Sequence, residues 1–248
     1  MNSNLGKYKL VFKPFGESGV LIEWPKKIDK NILTDIREFV HKNELKKIKY
    51  IIDINFVYSS LLIIYDNNLT TYKKIKNVLL KLYDKTDFVE NKQRLLWNIP
   101  VCYNTKFGID LQLLASEKKC TINDIIDLHS SINYTVYGIG FLPGFLYLGG
   151  LPEKLQYPRK SIPRLNVSKG AVAIGGDQTG VYPQNSPGGW NIIGKTPISI
   201  FDIDKVNPIE IQPGDEIKFY SISLMEFAEI EASFKNGFYN LKKVVLND

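Results

Sequence analysis

Between Gly138 and Trp190 the chain holds eleven of its eighteen glycines and six of its twelve prolines. That density breaks the chain into short strands and marks irregular backbone held in a fixed shape, the kind of scaffold on which binding sites are built. The pieces read as TVYGIGF, GAVAIGG, PISIFD and DEIKFYSI. Together they predict a mainly β domain over residues 91–248, closed or nearly closed as a barrel. Taken singly, each glycine is also accounted for as a corner or hairpin turn that needs positive φ.

The first ninety residues follow a different pattern. YKLVFKPF and VLIEW flank a Gly16-Glu17-Ser18-Gly19 turn and predict a hairpin. Ile32, Leu33, Ile36, Phe39 and Val40 recur at helical spacing behind an Asp29 cap. IKYIIDI and SSLLIIYD return to strand character, and Tyr72, Ile75, Leu79, Leu82 and Tyr83 mark a second helix. Two helices against a small antiparallel sheet predict an α+β unit of the ferredoxin-like kind over residues 1–90. The polar stretch Asp87–Gln93 marks the boundary. Beyond it come a strand, RLLWNIPVCY, a short helix after Asp110, and a helix from a Thr121 cap through Ile122, Ile125 and Ile126 to His129.

A formal charge of +6 raises the question of nucleic acid. The lysines are scattered in pairs along the chain, with no zinc-finger spacing, aromatic RNA-binding signature or basic arm, so they read as solvated faces that attract anionic small molecules. The two cysteines, Cys102 and Cys120, form no CxxC pair and stand near no His at metal-ligand spacing, so no metal site is expected. The opening MNSNLGKYKL has no apolar signal core, and the most apolar run, Tyr50 to Tyr65, is broken by Asp53 and Asn55. A cytoplasmic protein without a membrane span is expected.

Arginine is rare: Arg37, Arg94, Arg159 and Arg164 stand among thirty-two basic residues. Two of the four fall in PRKSIPR, each after a proline that fixes its backbone, as a rigid pair of forks suited to carboxylate or phosphate. Two structural salt bridges would use the same residues. The following GGDQTGVYPQNSPGGW carries Gln178, Thr179, Tyr182 and Ser186 and closes on Gly188-Gly189-Trp190, a set able to line a small-molecule pocket. His129 shares a helical face with Ile122, Ile125 and Ile126, as a core histidine does. GxxxxGK[ST], GxGxxG and GxSxG are all absent.

The continuous string from His129 to Asp202, with IPVCY and FGIDL upstream and QPGDEIKF downstream, resembles the family that contains the 5-oxoprolinase B subunit, allophanate hydrolase subunit 1 and the Kip-type sporulation kinase inhibitor. The resemblance covers most of residues 98–220 and implies a cyclophilin-like barrel for the C-terminal domain. It implies a protein that works with a C subunit plus a third, A-type subunit to convert 5-oxoproline to glutamate, with ATP as co-substrate; because the chain lacks GxxxxGK[ST], the nucleotide is expected to be held largely by a partner chain. It also places His129, Arg159, Arg164, Gln178, Thr179, Tyr182, Ser186 and Trp190 at the family's polar motif positions. In that scheme Arg159 and Arg164 hold a carboxylate or phosphoryl group, His129 moves a proton, and Gln178 with the Gly188 and Gly189 amides orients substrate. Two rival readings are a module that docks on a sensor histidine kinase and a subunit whose substrate is allophanate. Ser168-Lys169 and Lys195 depart from the family pattern, Lys195 standing where Arg is usual.

Overall fold

A computed structural model of the chain describes residues 8–85 and 93–246. The chain divides into two compact units, residues 1–92 and 93–248. The boundary stretch Asp87–Gln93 falls, but for Gln93, outside the described residues.

In the first unit, strands β1 (Val11–Phe15) and β2 (Gly19–Glu23) form a hairpin in which Phe15 faces Gly19. Helix α1 (Lys30–Lys42) follows, its first turn capped by the Asp29 carboxylate, which accepts from the Asn31 amide at 2.8 Å. Strands β3 (Ile51–Val57) and β4 (Ser60–Tyr65) make a second hairpin, and α2 (Tyr72–Lys85) closes the unit. The sheet runs β1-β2-β4-β3 and is antiparallel throughout. The α+β character is as expected. The element order, strand-strand-helix twice over, differs from the strand-helix-strand order of a ferredoxin-like unit. The cause is local: tight turns at Gly16–Ser18 and Tyr58–Ser59 leave no room for a helix inside either strand pair.

The strand periodicity of two puts Val20, Ile22, Leu61, Ile63 and Tyr65 on one face, where they pack with Ile32, Ile36, Phe39 and Val40 of α1 and Ile75, Leu79 and Tyr83 of α2. Each such side chain contributes about 1.5–3 kcal/mol on burial. One carboxylate interrupts this core. Asp35, fully buried, accepts at a single oxygen from Trp24 Nε1 at 2.6 Å and from the Tyr83 hydroxyl at 2.7 Å. Burial raises its pKa, and those two donors only partly offset the rise. Asp35→Asn keeps an acceptor for both donors and is expected to unfold in urea within about 1 kcal/mol of the parent, whereas Asp35→Leu leaves two buried donors unpaired and costs about 2–4 kcal/mol.

The second unit contains β5 (Arg94–Val101), α3 (Leu111–Lys118), α4 (Ile122–Ser131), β6 (Asn133–Ile139), β7 (Leu146–Gly149), β8 (Arg164–Val167), β9 (Ala171–Gly175), β10 (Gln178–Val181), β11 (Ser186–Gly188), β12 (Asn191–Lys195), β13 (Glu216–Ser221), α5 (Leu224–Lys235) and β14 (Lys243–Leu246). Thr121 caps α4 through a reciprocal pair with Asp124, and Ser223 caps α5 in the same way with Glu226. The strands pair in the sequence β14-β5-β13-β6-β7-β10-β9-β12, with β5 and β13 parallel.

This sheet does not close into a barrel, which corrects the expected cyclophilin-like closure. Among the described residues, β12 meets the other side of the sheet at an isolated bridge, where Cys102, just past β5, exchanges hydrogen bonds of 2.8 and 3.0 Å with Lys195 of β12. Two local features account for the gap. β8 and β11 pair with each other as a separate two-stranded sheet. PISIFD forms no strand, because the Ser199 hydroxyl turns back to the Phe201 carbonyl at 2.7 Å and the Asp202 amide bonds Pro208. Among the described residues, no helix is long and apolar enough to cross a membrane.

Candidate functional site

Strand β9 is buried on both faces, and its sequence AVAIG alternates small with large. Val172 and Ile174 enter the main core, which also holds Trp97, Ile99, Val136, Leu148, Val181 and Phe219. Ala171 and Ala173 face a second cluster of Phe145, Val167, Tyr182, Trp190 and Ile192. The small side chains leave room there for flat rings. At Gly175 a Cβ would lie 2.5 Å from the Trp190 indole, and at Gly180 it would lie 2.9 Å from the Leu146 carbonyl and 3.2 Å from both Phe145 and Trp190. These glycines therefore seat rings, a role distinct from turning the chain. Phe145 stands edge-on to Trp190 and Tyr182, each 5.4 Å away, and Phe141 and Tyr147 extend the aromatic wall at 5.6 and 5.1 Å from Phe145.

The PRKSIPR segment crosses this wall. Arg159 places its guanidinium 5.3 Å from the Trp190 ring centroid, a cation–π contact, and has no acidic partner among the described residues. The Lys160 amide donates to the Gly189 carbonyl at 2.7 Å. Arg164 takes the alternative left open by the sequence: its Nη2 bonds Asp110 Oδ1 at 2.7 Å. Lys160 Nζ reaches the same oxygen at 3.0 Å, while Asp110 Oδ2 accepts from the Ile192 amide at 2.7 Å. Burial alone would raise the Asp110 pKa. The hydrogen bonds from Arg164, the Ile192 amide and Lys160 outweigh it and hold the carboxyl below its usual range.

Between these parts lies a cleft of about 210 Å³ lined by Arg159, Lys160, Pro163, Tyr182, Gly188, Gly189, Trp190 and the aromatic wall. Of the residues expected at the site, the structure gathers Arg159, Tyr182, Gly188, Gly189 and Trp190 here, while Arg164 does not line the cleft and is paired with Asp110. Ser186 is buried in β11 with its hydroxyl on the Pro187 carbonyl. Gln178 begins β10 opposite Gly175, and Thr179 points into the main core. Lys160, Phe145, Tyr147 and Asp110 are additions. Lys160 adjoins Arg159, and an aromatic repeat around Pro143-Gly144 carries the wall; no signal pairs Asp110 with Arg164 across fifty-four residues.

His129 stands elsewhere, in the core, with no exposed surface, stacked on Phe219 at 4.9 Å. The Thr179 hydroxyl donates to the Ala173 carbonyl at 3.1 Å, so toward His129 Nε2, 2.9 Å away, it accepts. Nε2 therefore carries the proton, and Nδ1 accepts from the Tyr103 hydroxyl at 2.7 Å. Every polar atom of the ring is paired in the neutral state, and burial holds its pKa down to about 3. Among the described residues, no group of His, Cys, Asp and Glu could hold a metal.

Residues 10–211 match the model of the carboxyltransferase domain, subdomain C and D. The chain belongs to that family. It is 44% identical over 141 residues to the 5-oxoprolinase B subunit of Escherichia coli O157:H7, covering 57% of this chain and 64% of that one. The Haemophilus influenzae protein of the same name is 50% identical over 121 residues, covering 49% and 57%. These matches span less than two thirds of each relative's length. The Kluyveromyces lactis urea amidolyase structure superposes with a TM-score of 0.84 at 21% identity, over 99% of this chain and 17% of that one, and shows the shared fold.

For this carboxyltransferase-domain chain, the neutral state of His129 sets a pH dependence. The unfolded chain takes up a proton near the ordinary value of 6.5, whereas the folded chain does so only near 3. Acidification through that window therefore favours unfolding, by about 1.4 kcal/mol per pH unit from this residue. Urea titrations are expected to show that slope between about pH 6.5 and pH 5, and His129→Gln, less stable at neutral pH, is expected to lose it. A parent slope that His129→Gln leaves unchanged would contradict the assignment.

Proposed function

We propose that this chain is a non-autonomous subunit of an ATP-dependent 5-oxoprolinase, and that its aromatic cleft holds the carboxylate and lactam ring of 5-oxo-L-proline. The observation that carries the reading is the cleft itself: a ring-walled recess of about 210 Å³ whose open end is crossed by a guanidinium with no acidic partner among the described residues. Three cations, Arg159, Lys160 and Arg164, stand against one carboxylate, Asp110, so an anion is favoured there. The names of the bacterial relatives, at 44% and 50% identity, support the same reading.

A lactam resists water because its nitrogen lone pair is delocalised onto oxygen. ATP, as co-substrate, supplies a phosphoryl group that activates that oxygen. This chain's own part is binding and orientation. Arg159, with Lys160 beside it, takes the substrate carboxylate, the Trp190 and Phe145 rings fix the plane of the lactam, and Tyr182 closes the floor beside Gly188. Gly188 has to be glycine, since a Cβ there would overlap the Tyr182 hydroxyl. Arg164, Ser186, Gln178 and Thr179 belong to the frame that shapes the recess. His129, neutral and enclosed, pins α4 to β10 and takes no part in proton transfer. The nucleotide is held by a companion chain, with a C subunit plus a third, A-type subunit as partners in the cytoplasm, and residues 1–90 and 91–248 act as separate domains.

Titration of the purified chain with 5-oxo-L-proline, followed by Trp fluorescence, tests this directly. Binding is expected to weaken about 10–100-fold in Arg159→Ala, the loss of a charge-assisted contact. Pyrrolidin-2-one, the same ring without a carboxylate, is expected to bind weakly and to be indifferent to that substitution. Equal affinities for the two ligands, or an Arg159→Ala chain that binds 5-oxo-L-proline as the parent does, would overturn the assignment.

A further inference from the structure

Arg159 is exposed and flexible by nature, yet it lies over one particular ring. What holds it there is its backbone. On one side, Tyr157 exchanges hydrogen bonds of 3.1 and 2.8 Å with Gly176 at the end of β9; on the other, the Lys160 amide is fixed to Gly189 at 2.7 Å. Between them, the carbonyl of Pro158, the residue directly before Arg159, is held by a side chain. Asn191 Nδ2 donates to it at 2.9 Å and to the Ile174 carbonyl of β9 at 3.3 Å.

Asn191 has no exposed surface, and both of its donors are spent on carbonyls, which fixes the orientation of its amide. It is also the residue next to Trp190, so one dipeptide supplies both the indole face and the clip that sets a cation above it. The geometry is demanding. Leucine has the shape without the donors, aspartate would press oxygen against two carbonyl oxygens, and serine is too short to span from β12 to Pro158.

We infer that Asn191 is a positioning residue, which by clipping the Pro158 carbonyl to β9 holds Arg159 over Trp190 in the orientation that receives an anion. The consequence for affinity rests on the reading of the cleft as a carboxylate site; the placement of Arg159 does not. With the clip intact, Arg159 meets its ligand already ordered, and the ordering entropy falls on folding rather than on binding.

Two readouts separate positioning from plain stability. In the ¹⁵N-labelled chain, the Arg159 Nε–Hε resonance, assigned by its disappearance in Arg159→Lys, is expected to be shifted by the indole ring current in the parent and to move to the position of a free arginine in Asn191→Leu and Asn191→Ser. In the titration, either variant is expected to bind 5-oxo-L-proline about tenfold more weakly, while adding Asn191→Leu to Arg159→Ala changes affinity less than twofold, because the two act through one contact. A resonance unmoved in both folded variants, or losses that multiply in the double variant, would overturn the inference. So would failure of both variants to fold, which would make Asn191 a core residue alone. If the parent binds no 5-oxo-L-proline, the function reading fails and the resonance still decides the positioning claim.

Discussion

The cleft depends on one buried carboxylate. Asp110 sits where the chain enters α3, and its two oxygens collect a guanidinium, an ammonium and a backbone amide from Arg164, Lys160 and Ile192. Those donors come from the PRKSIPR segment and from β12, so a single side chain ties the cationic edge of the cleft to the strand that follows Trp190. Removing one cation leaves the carboxylate with the other and with the Ile192 amide, whereas removing both leaves a buried charge without a cationic partner, the costly case. Its pKa lies below the ordinary carboxylate range. The tie therefore holds at neutral pH and weakens as acid protonates Asp110.

Around that tie the architecture is a matter of side-chain size. β9 separates two packed faces, and its alternation of Val172 and Ile174 with Ala171, Ala173 and Gly175 assigns bulk to the main core and space to the rings. The glycine density of this segment, legible at once in the sequence, carried two kinds of information. Gly176, at φ +69, turns the β9–β10 hairpin, whereas Gly175 and Gly180 lie under Trp190 and Phe145. A string of letters cannot distinguish them, because the second role depends on a ring arriving from elsewhere in the chain.

Periodicity and capping made the helices and most strands readable. Ile32, Ile36 and Phe39 face the first core as their spacing requires, and Asp29 and Thr121 cap as their positions suggest. Two segments show where local pattern and structure part or agree. PISIFD has strand composition, but the Ser199 and Asp202 bonds hold it as a loop; α5 carries the capping pair Ser223 and Glu226, which is a readable start signal. The arginine pair and the 178–190 loop stand out in the sequence because rare residues and rigid backbone coincide there, which is the basis of the candidate site. The split between the two arginines does not: Arg159 is presented to the cleft and Arg164 is consumed by Asp110, a pairing across the fold. His129 shows the same limit from the other side, since its helical face identified a core position, and only the contacts with Tyr103 and Thr179 reveal a ring satisfied in its neutral form.

The proposed function casts the chain as one that binds and orients, with proton-transfer and nucleotide groups supplied by companion chains. GxxxxGK[ST] and GxGxxG are absent from the sequence, and the one histidine of this unit is enclosed. The measurement that tests this most directly is 5-oxoproline-dependent ATP hydrolysis by the purified chain alone and after addition of the proposed C and A-type subunits. The account predicts no turnover from the chain by itself and ATP cleavage coupled to glutamate formation from the assembled complex. Robust turnover by the lone chain, or none from the assembled complex, would contradict it.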